Sequence, residues 1–121
     1  MTRQKLEAPR WRRTHDQISD RASYSVEGVK GLLSKGGTAR QDAIREAVAG
    51  VGGTLEAFYF AFGDDDVIIL CDMPDHDSAA AVSLAASAGG GVSSSWTTVL
   101  LSPEEIDRAA EMHPGYRPPG G

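Results

Sequence analysis

Two apolar, strand-forming runs, Phe58-Tyr59-Phe60-Ala61-Phe62 and Val67-Ile68-Ile69-Leu70, are separated only by Gly63-Asp64-Asp65-Asp66. Aromatic and β-branched side chains favour strands, and glycine with aspartates between two such runs favours a reversal of the chain. The stretch therefore reads as a β-hairpin with a dense negative charge at its tip. It constrains the fold class strongly and names no reaction.

The flanking segments extend the pattern. Residues 1–21 are polar, with Pro9 and no sustained period, and are expected to be a disordered N-terminal segment. Ala22-Ser23-Tyr24-Ser25 alternates enough for a short strand. Val26, Val29, Leu32 and Leu33 follow at helical spacing, and Gly36-Gly37 ends that helix. Thr38 is expected to cap a stronger helix with Ala39, Ala43, Ile44, Ala47, Val48 and Val51 on one face. Gly52-Gly53 stops it. Strands are predicted over 54–62 and 66–72. The aspartates of Asp75-His76-Asp77 are placed to cap an alanine-rich helix running to about Ala88.

Gly89-Gly90-Gly91 ends that helix, and a strand over 92–101 carries Trp96 near its centre. Ser102-Pro103-Glu104-Glu105 combines a serine cap, a proline in the first turn and a glutamate three residues after the cap, a complete helix start. The helix runs to about Met112, and residues 113–121 form an extended Pro/Gly tail. The predicted order, β-α-β-β-α-β plus a C-terminal helix, is an α+β, ferredoxin-like antiparallel sheet within residues 22–112, with helices on one face. Phe58, Phe60 and Phe62 occupy alternate positions of one strand. They are expected on the other face, where sheet-to-sheet packing with a second copy would cover them in a homodimer or higher assembly.

The chain of 121 residues is long enough for one domain with its own core. Residues 1–13 carry Arg3, Lys5, Arg10, Arg12 and Arg13 against Glu7, leaving 7 of the 12 basic and 16 of the 17 acidic residues in the remainder. An acidic body argues against nucleic acid as a partner. No apolar run approaches a membrane span, and no secretory signal opens the chain. Cys71 stands alone, so no intrachain disulfide forms, and a cytoplasmic location is expected.

Three segments together carry a family resemblance: Ser23-Tyr24-Ser25-Val26-Glu27-Gly28-Val29-Lys30-Gly31-Leu32-Leu33, then Gly52-Gly53-x-Leu55-Glu56-x-Phe58-Tyr59-Phe60, then Gly63-Asp64-Asp65-Asp66. Pro103-Glu104-Glu105-Ile106 and Tyr116-Arg117-Pro118-Pro119 accompany them. Over roughly residues 22–119 the chain resembles the GYD-domain proteins, small bacterial proteins similar to the dimeric α/β-barrel class. The resemblance implies a dimeric barrel of ferredoxin-like units. This chain departs from the family in two places. Asp65 stands where the family has the tyrosine of its Gly-Tyr-Asp element. The family's apolar first strand is replaced by Thr14-His15-Asp16-Gln17-Ile18-Ser19-Asp20-Arg21, and a polar strand at the centre of a sheet should cost stability.

No convergent catalytic set is visible. Tyr24, Tyr59 and Trp96 bring polar tips to apolar strands and can line a ligand cavity, although core or dimer packing is the preferred account of them. His76 can serve acid–base chemistry if it faces a cleft, and otherwise sits on the surface. Asp64, Asp65 and Asp66 can be read as ligands of a hard divalent cation or as turn residues. Asp72, Asp75, His76 and Asp77 lie at the far end of the third strand and cannot join them on one ion. Turn chemistry is preferred, and neither a metal nor a cofactor is assigned. Cys71 reads as an inert core residue. The expectation is a homodimeric small-molecule-binding or regulatory and assembly module. The alternatives are a cofactor-independent oxygenase or isomerase, which the barrel class often hosts, and cation binding at the hairpin tip.

Overall fold

The computed structural model describes residues 16–120. Its elements are β1 (Asp16–Tyr24), α1 (Val26–Lys35), α2 (Gly37–Gly50), β2 (Thr54–Phe60), β3 (Val67–Met73), α3 (His76–Ala88), β4 (Val92–Leu100) and α4 (Pro103–Ala110). The chain divides after Leu100 into two units. The larger holds β1–β4 and α1–α3. The other holds α4, whose Ser102 accepts from the Glu105 amide while the Glu105 carboxylate accepts from the Ser102 amide, the two halves of the predicted capping box.

The larger unit is an α+β fold built on one four-stranded antiparallel sheet in the order β2-β3-β1-β4. Alternation along β3 shows its two faces. Val67, Ile69, Cys71 and Met73 are buried, and with Ile18, Ala22, Val48 and Ala79 they form the core under the helices. Ile68, Leu70 and Asp72 lie on the opposite, open face.

Residues 16–21, expected in the N-terminal segment, are strand instead. β1 lies between β3 and β4, with Ile18 opposite both Cys71 and Val99 and Arg21 opposite both Ile68 and Trp96. Pairing on both edges satisfies its backbone, so two buried apolar side chains, Ile18 and Ala22, suffice to seat a strand that is otherwise polar. Residues 1–15 lie outside the described residues.

A second correction concerns α2. Its N-cap is Gly36, with no side-chain cap, and not Thr38. Gly36 is the single residue between α1 and α2; its φ of 88° lies in the left-handed region, and its N–H closes α1 on the Leu32 carbonyl at 2.8 Å. The junction leaves no position for a threonine cap.

The third correction concerns the phenylalanines. Phe58 and Phe60 lie on the helix-covered side: Phe58 packs against the core, and the Phe60 ring meets it edge-on at 5.2 Å and presses on Gly37 of α2. Phe62 lies beyond β2 and is exposed. A bulge between Leu55 and Ala57 is the cause, since it brings Leu55 and Phe58 to the same side of the sheet. The open face instead presents Tyr59, Ile68, Arg21 and Trp96 in one cross-strand row.

Candidate functional site

The space between sheet and helices contains a small cavity of about 60 Å³. Its walls are largely apolar: Val67 and Ile69 from β3, Phe58 from β2, Ile44 and Val48 from α2, and Val82 from α3. Asp20, Tyr24, Arg40, Cys71, Ser83 and Ser95 are also among its lining residues, although its surface is almost wholly apolar.

Asp20 is the polar interruption on the buried parity of β1, between Ile18 and Ala22. Its Oδ1 accepts from Thr97 Oγ1 at 2.7 Å, and Ser83 Oγ lies 3.2 Å from the same threonine oxygen. A hydroxyl carries one proton, so Thr97, already donating to Asp20, accepts from Ser83. The relay Ser83–Thr97–Asp20 links α3 to β4 and β1. Burial pushes the Asp20 carboxyl above its ordinary value of 3.8, and the Thr97 hydrogen bond offsets part of that rise. On β3, burial pushes the Cys71 thiol up to about 12, assisted by the nearby charges of Asp20 and Glu56. A thiol so held is no nucleophile at neutral pH.

Tyr24 closes the end of the cavity, and the Arg40 guanidinium stands 5.9 Å from its ring centroid. The same two residues also line a second, larger cleft of about 280 Å³ between α1 and α2.

The four residues proposed from sequence for a ligand site do not converge. Tyr24 reaches the cavity. Tyr59 and Trp96 lie on the open face, across the sheet from it. His76, at the start of α3, pairs through Nδ1 with Asp16 at 2.9 Å and borders a separate groove beside β4. Asp20 and Arg40 were not singled out. A signal for Asp20 existed, since one aspartate breaks the even-numbered series Ile18, Ala22 and Tyr24. Arg40 carried none.

The hairpin tip is not a free turn. Asp66 Oδ2 accepts from the Tyr24 amide at 2.8 Å, the Asp66 amide donates to the Ala22 carbonyl at 2.9 Å, and Ser23 Oγ donates to the Asp64 carbonyl at 3.4 Å. Asp65 pairs with Arg21 at 3.4 Å. These contacts pin the loop to the end of β1. They engage the carboxylates of Asp65 and Asp66 and the backbone carbonyl of Asp64, and among the described residues no three His, Cys, Asp or Glu side chains are grouped to hold a metal ion. Gly63 has an ordinary backbone conformation, and a Cβ there would meet nothing within 4 Å.

The GYD domain family matches residues 21–110. No curated protein matches by sequence. Among solved structures, the crystal structure of MtbAldR (Rv2779c) is similar at a TM-score of 0.54 and 15% identity, over 72% of this chain and 52% of that one. The present chain thus spans about half the length of that protein, and a likeness at this identity speaks for the fold alone.

Proposed function

The chain belongs to the GYD-domain family, and from that premise we propose that it is a homodimeric α/β-barrel protein that binds a small molecule at Tyr24 and Arg40, the two residues shared by the cavity beneath the sheet and the larger cleft between α1 and α2, as a ligand-responsive regulatory or assembly module. The cavity carries this reading: apolar walls with Asp20, Tyr24 and Arg40 gathered at one place are the makings of a small-molecule site. A thermal-shift screen of the purified protein against a metabolite library tests it. Hits that Tyr24→Ala abolishes are expected, and a silent screen overturns the reading.

The dimer rests on the open face. Tyr59 and Trp96 are more than half exposed and flank Ile68 and Arg21 in one row, with Leu70 in the adjoining row and Leu100 in the row beyond it. Asp65 neutralises Arg21, which lowers the cost of burying that row against a second copy. Light scattering at micromolar concentration is expected to give twice the chain mass for the wild type and the single mass for Trp96→Glu; a monomeric wild type removes the dimer. The lone, buried Cys71 supports a reducing, cytoplasmic setting, and among the described residues no helix is long and apolar enough to cross a membrane.

Asp20 favours a second reading, a cofactor-independent enzyme. A carboxyl that burial holds protonated above its ordinary range, within a hydroxyl relay at an apolar cavity, is suited to donate or accept a proton in general acid–base catalysis. Turnover of any library hit that Asp20→Asn removes, with binding retained, would support it. Hits that bind and are never converted would dispose of it.

A further inference from the structure

The larger cleft between α1 and α2 has a different chemistry from the cavity beneath the sheet. Tyr24, Gly28 and Gly31 line it, and among the described residues Lys35 and Arg40 supply its charged side chains. No carboxylate among the described residues lines it, although the chain as a whole carries a net charge of −5. Neither Lys35 nor Arg40 forms an ion pair among the described residues, in contrast to Lys30 with Glu27 and Arg45 with Asp42 nearby. Arg40 instead lies over the Tyr24 ring at 5.9 Å from its centroid, the outer edge of a cation–π contact. Lys35 is exposed in the last turn of α1 and Arg40 is part-buried, so the cleft presents two positive charges with no carboxylate paired to either among the described residues.

The glycine wall adds a second observation. Gly31 lies inside α1, where glycine costs about 0.5–1 kcal/mol relative to alanine. A Cβ at Gly31 would meet nothing within 4 Å, so protein packing does not require the glycine. What a side chain at residue 31 would take up is space in the cleft.

We propose that this cleft binds a small organic anion, a carboxylate or phosphate monoester whose charged end lies between Lys35 and Arg40 and whose flat or apolar part rests on Tyr24. Arginine and lysine differ here in a useful way: Arg40, over the Tyr24 ring, presents a fork of donors, and Lys35 contributes a mobile point charge. The volume of about 280 Å³ suits a single ring with one substituent, since an apolar cavity of about 150 Å³ already holds benzene. The inference rests on the small-molecule reading above and deepens it by naming the ligand's charge and its seat.

Amide chemical shifts of the ¹⁵N-labelled full chain provide the test, with benzoate, phenyl phosphate and the neutral benzamide as probes. Benzoate or phenyl phosphate should shift Gly28, Gly31, Gly36 and Gly91 in a saturable way, and benzamide should bind at least tenfold more weakly. Arg40→Gln and Lys35→Gln should each weaken the anion about tenfold, the factor carried by one charge-assisted hydrogen bond. Gly31→Leu should abolish binding by filling the cleft; a thermal midpoint no lower than that of the wild type shows that the fold survives it. The better of the two anions identifies the headgroup. Equal binding of benzamide, or anion binding insensitive to both charge variants, overturns the anion assignment and leaves the small-molecule reading standing. Library hits that shift only residues of the cavity beneath the sheet also overturn it. No binding of any probe or library member overturns both.

Discussion

Gly28 of α1 and Gly91, at the entry to β4, pack backbone against backbone: a Cβ on Gly28 would collide with the Gly91 carbonyl oxygen. That oxygen also accepts from the Ser25 amide at 3.0 Å, and Ser25 Oγ donates to the Gly90 carbonyl at 2.6 Å. The start of α1 is thus bolted to the turn that ends α3. Gly28→Ala should destabilise the protein by about 1–3 kcal/mol, the usual cost of overpacking, despite alanine's better helix propensity. Gly31→Ala, one turn on and facing open space, should instead stabilise by about 0.5–1 kcal/mol. Urea denaturation of the two variants side by side checks the opposite signs.

Asp20 makes stability depend on pH in a direction opposite to most carboxylates. Its folded value lies above the unfolded value of 3.8, so the native state holds the proton more tightly than the unfolded chain. This contribution is full below the unfolded value and declines as pH rises through the higher folded value. Asp20→Asn keeps an acceptor for Thr97 and carries no charge. The variant should gain stability over the wild type between acid and neutral pH, and the difference should vanish below pH 3.8. Denaturation midpoints of both proteins across that range provide the measurement.

Cys71 should resist alkylation in the native protein. Raising a thiol from 9.0 to about 12 cuts its thiolate fraction about a thousandfold at neutral pH, and the side chain is buried as well. Iodoacetamide at pH 7.5 should label the urea-unfolded chain within minutes and the folded chain only at the rate of opening, as mass spectrometry would show.

At the hairpin tip the two aspartates should rank by the partner each deletion leaves behind, a part-buried amide for Asp66 and a half-exposed guanidinium for Asp65. Asp66→Ala strips the acceptor from the part-buried Tyr24 amide and should cost about 1–2 kcal/mol. Asp65→Ala breaks an ion pair whose arginine is half exposed and should cost under about 1 kcal/mol. Thermal unfolding of both variants gives the ranking, and added Mg²⁺ or Ca²⁺ should leave each midpoint unchanged.

What the sequence made legible was what short-range chemistry decides. Asp75 and Ser102 cap their helices as read, because an N-cap needs only a side-chain oxygen and an amide three residues on. Only the end of β1, from Ala22, was legible; residues 16–21 were not, because their partners lie far along the chain, on β3 and β4, and those hydrogen bonds replace the apolar residues that ordinarily mark a central strand. Phe58 and Phe60 were assigned the wrong face because a bulge reverses parity, and neither Glu56 nor Ala57 announces one. Tyr24 was found as an aromatic on a strand. Asp20 and Arg40 were missed because they matter only through what the fold sets beside them: Thr97 in one case, the Tyr24 ring in the other.

The polar strand at the centre of the sheet has one more consequence. Sliding β1 by a single residue would turn Gln17, Ser19 and Arg21 inward and push Ile18 and Ala22 out. Arg21 would then leave Asp65 and enter the apolar core without a counter-charge, at a cost of several kcal/mol. A continuous run of valines would pair almost as well one step out of place. The charges that make β1 hard to see thus act as its alignment key, admitting one offset against β3 and β4 and penalising the next.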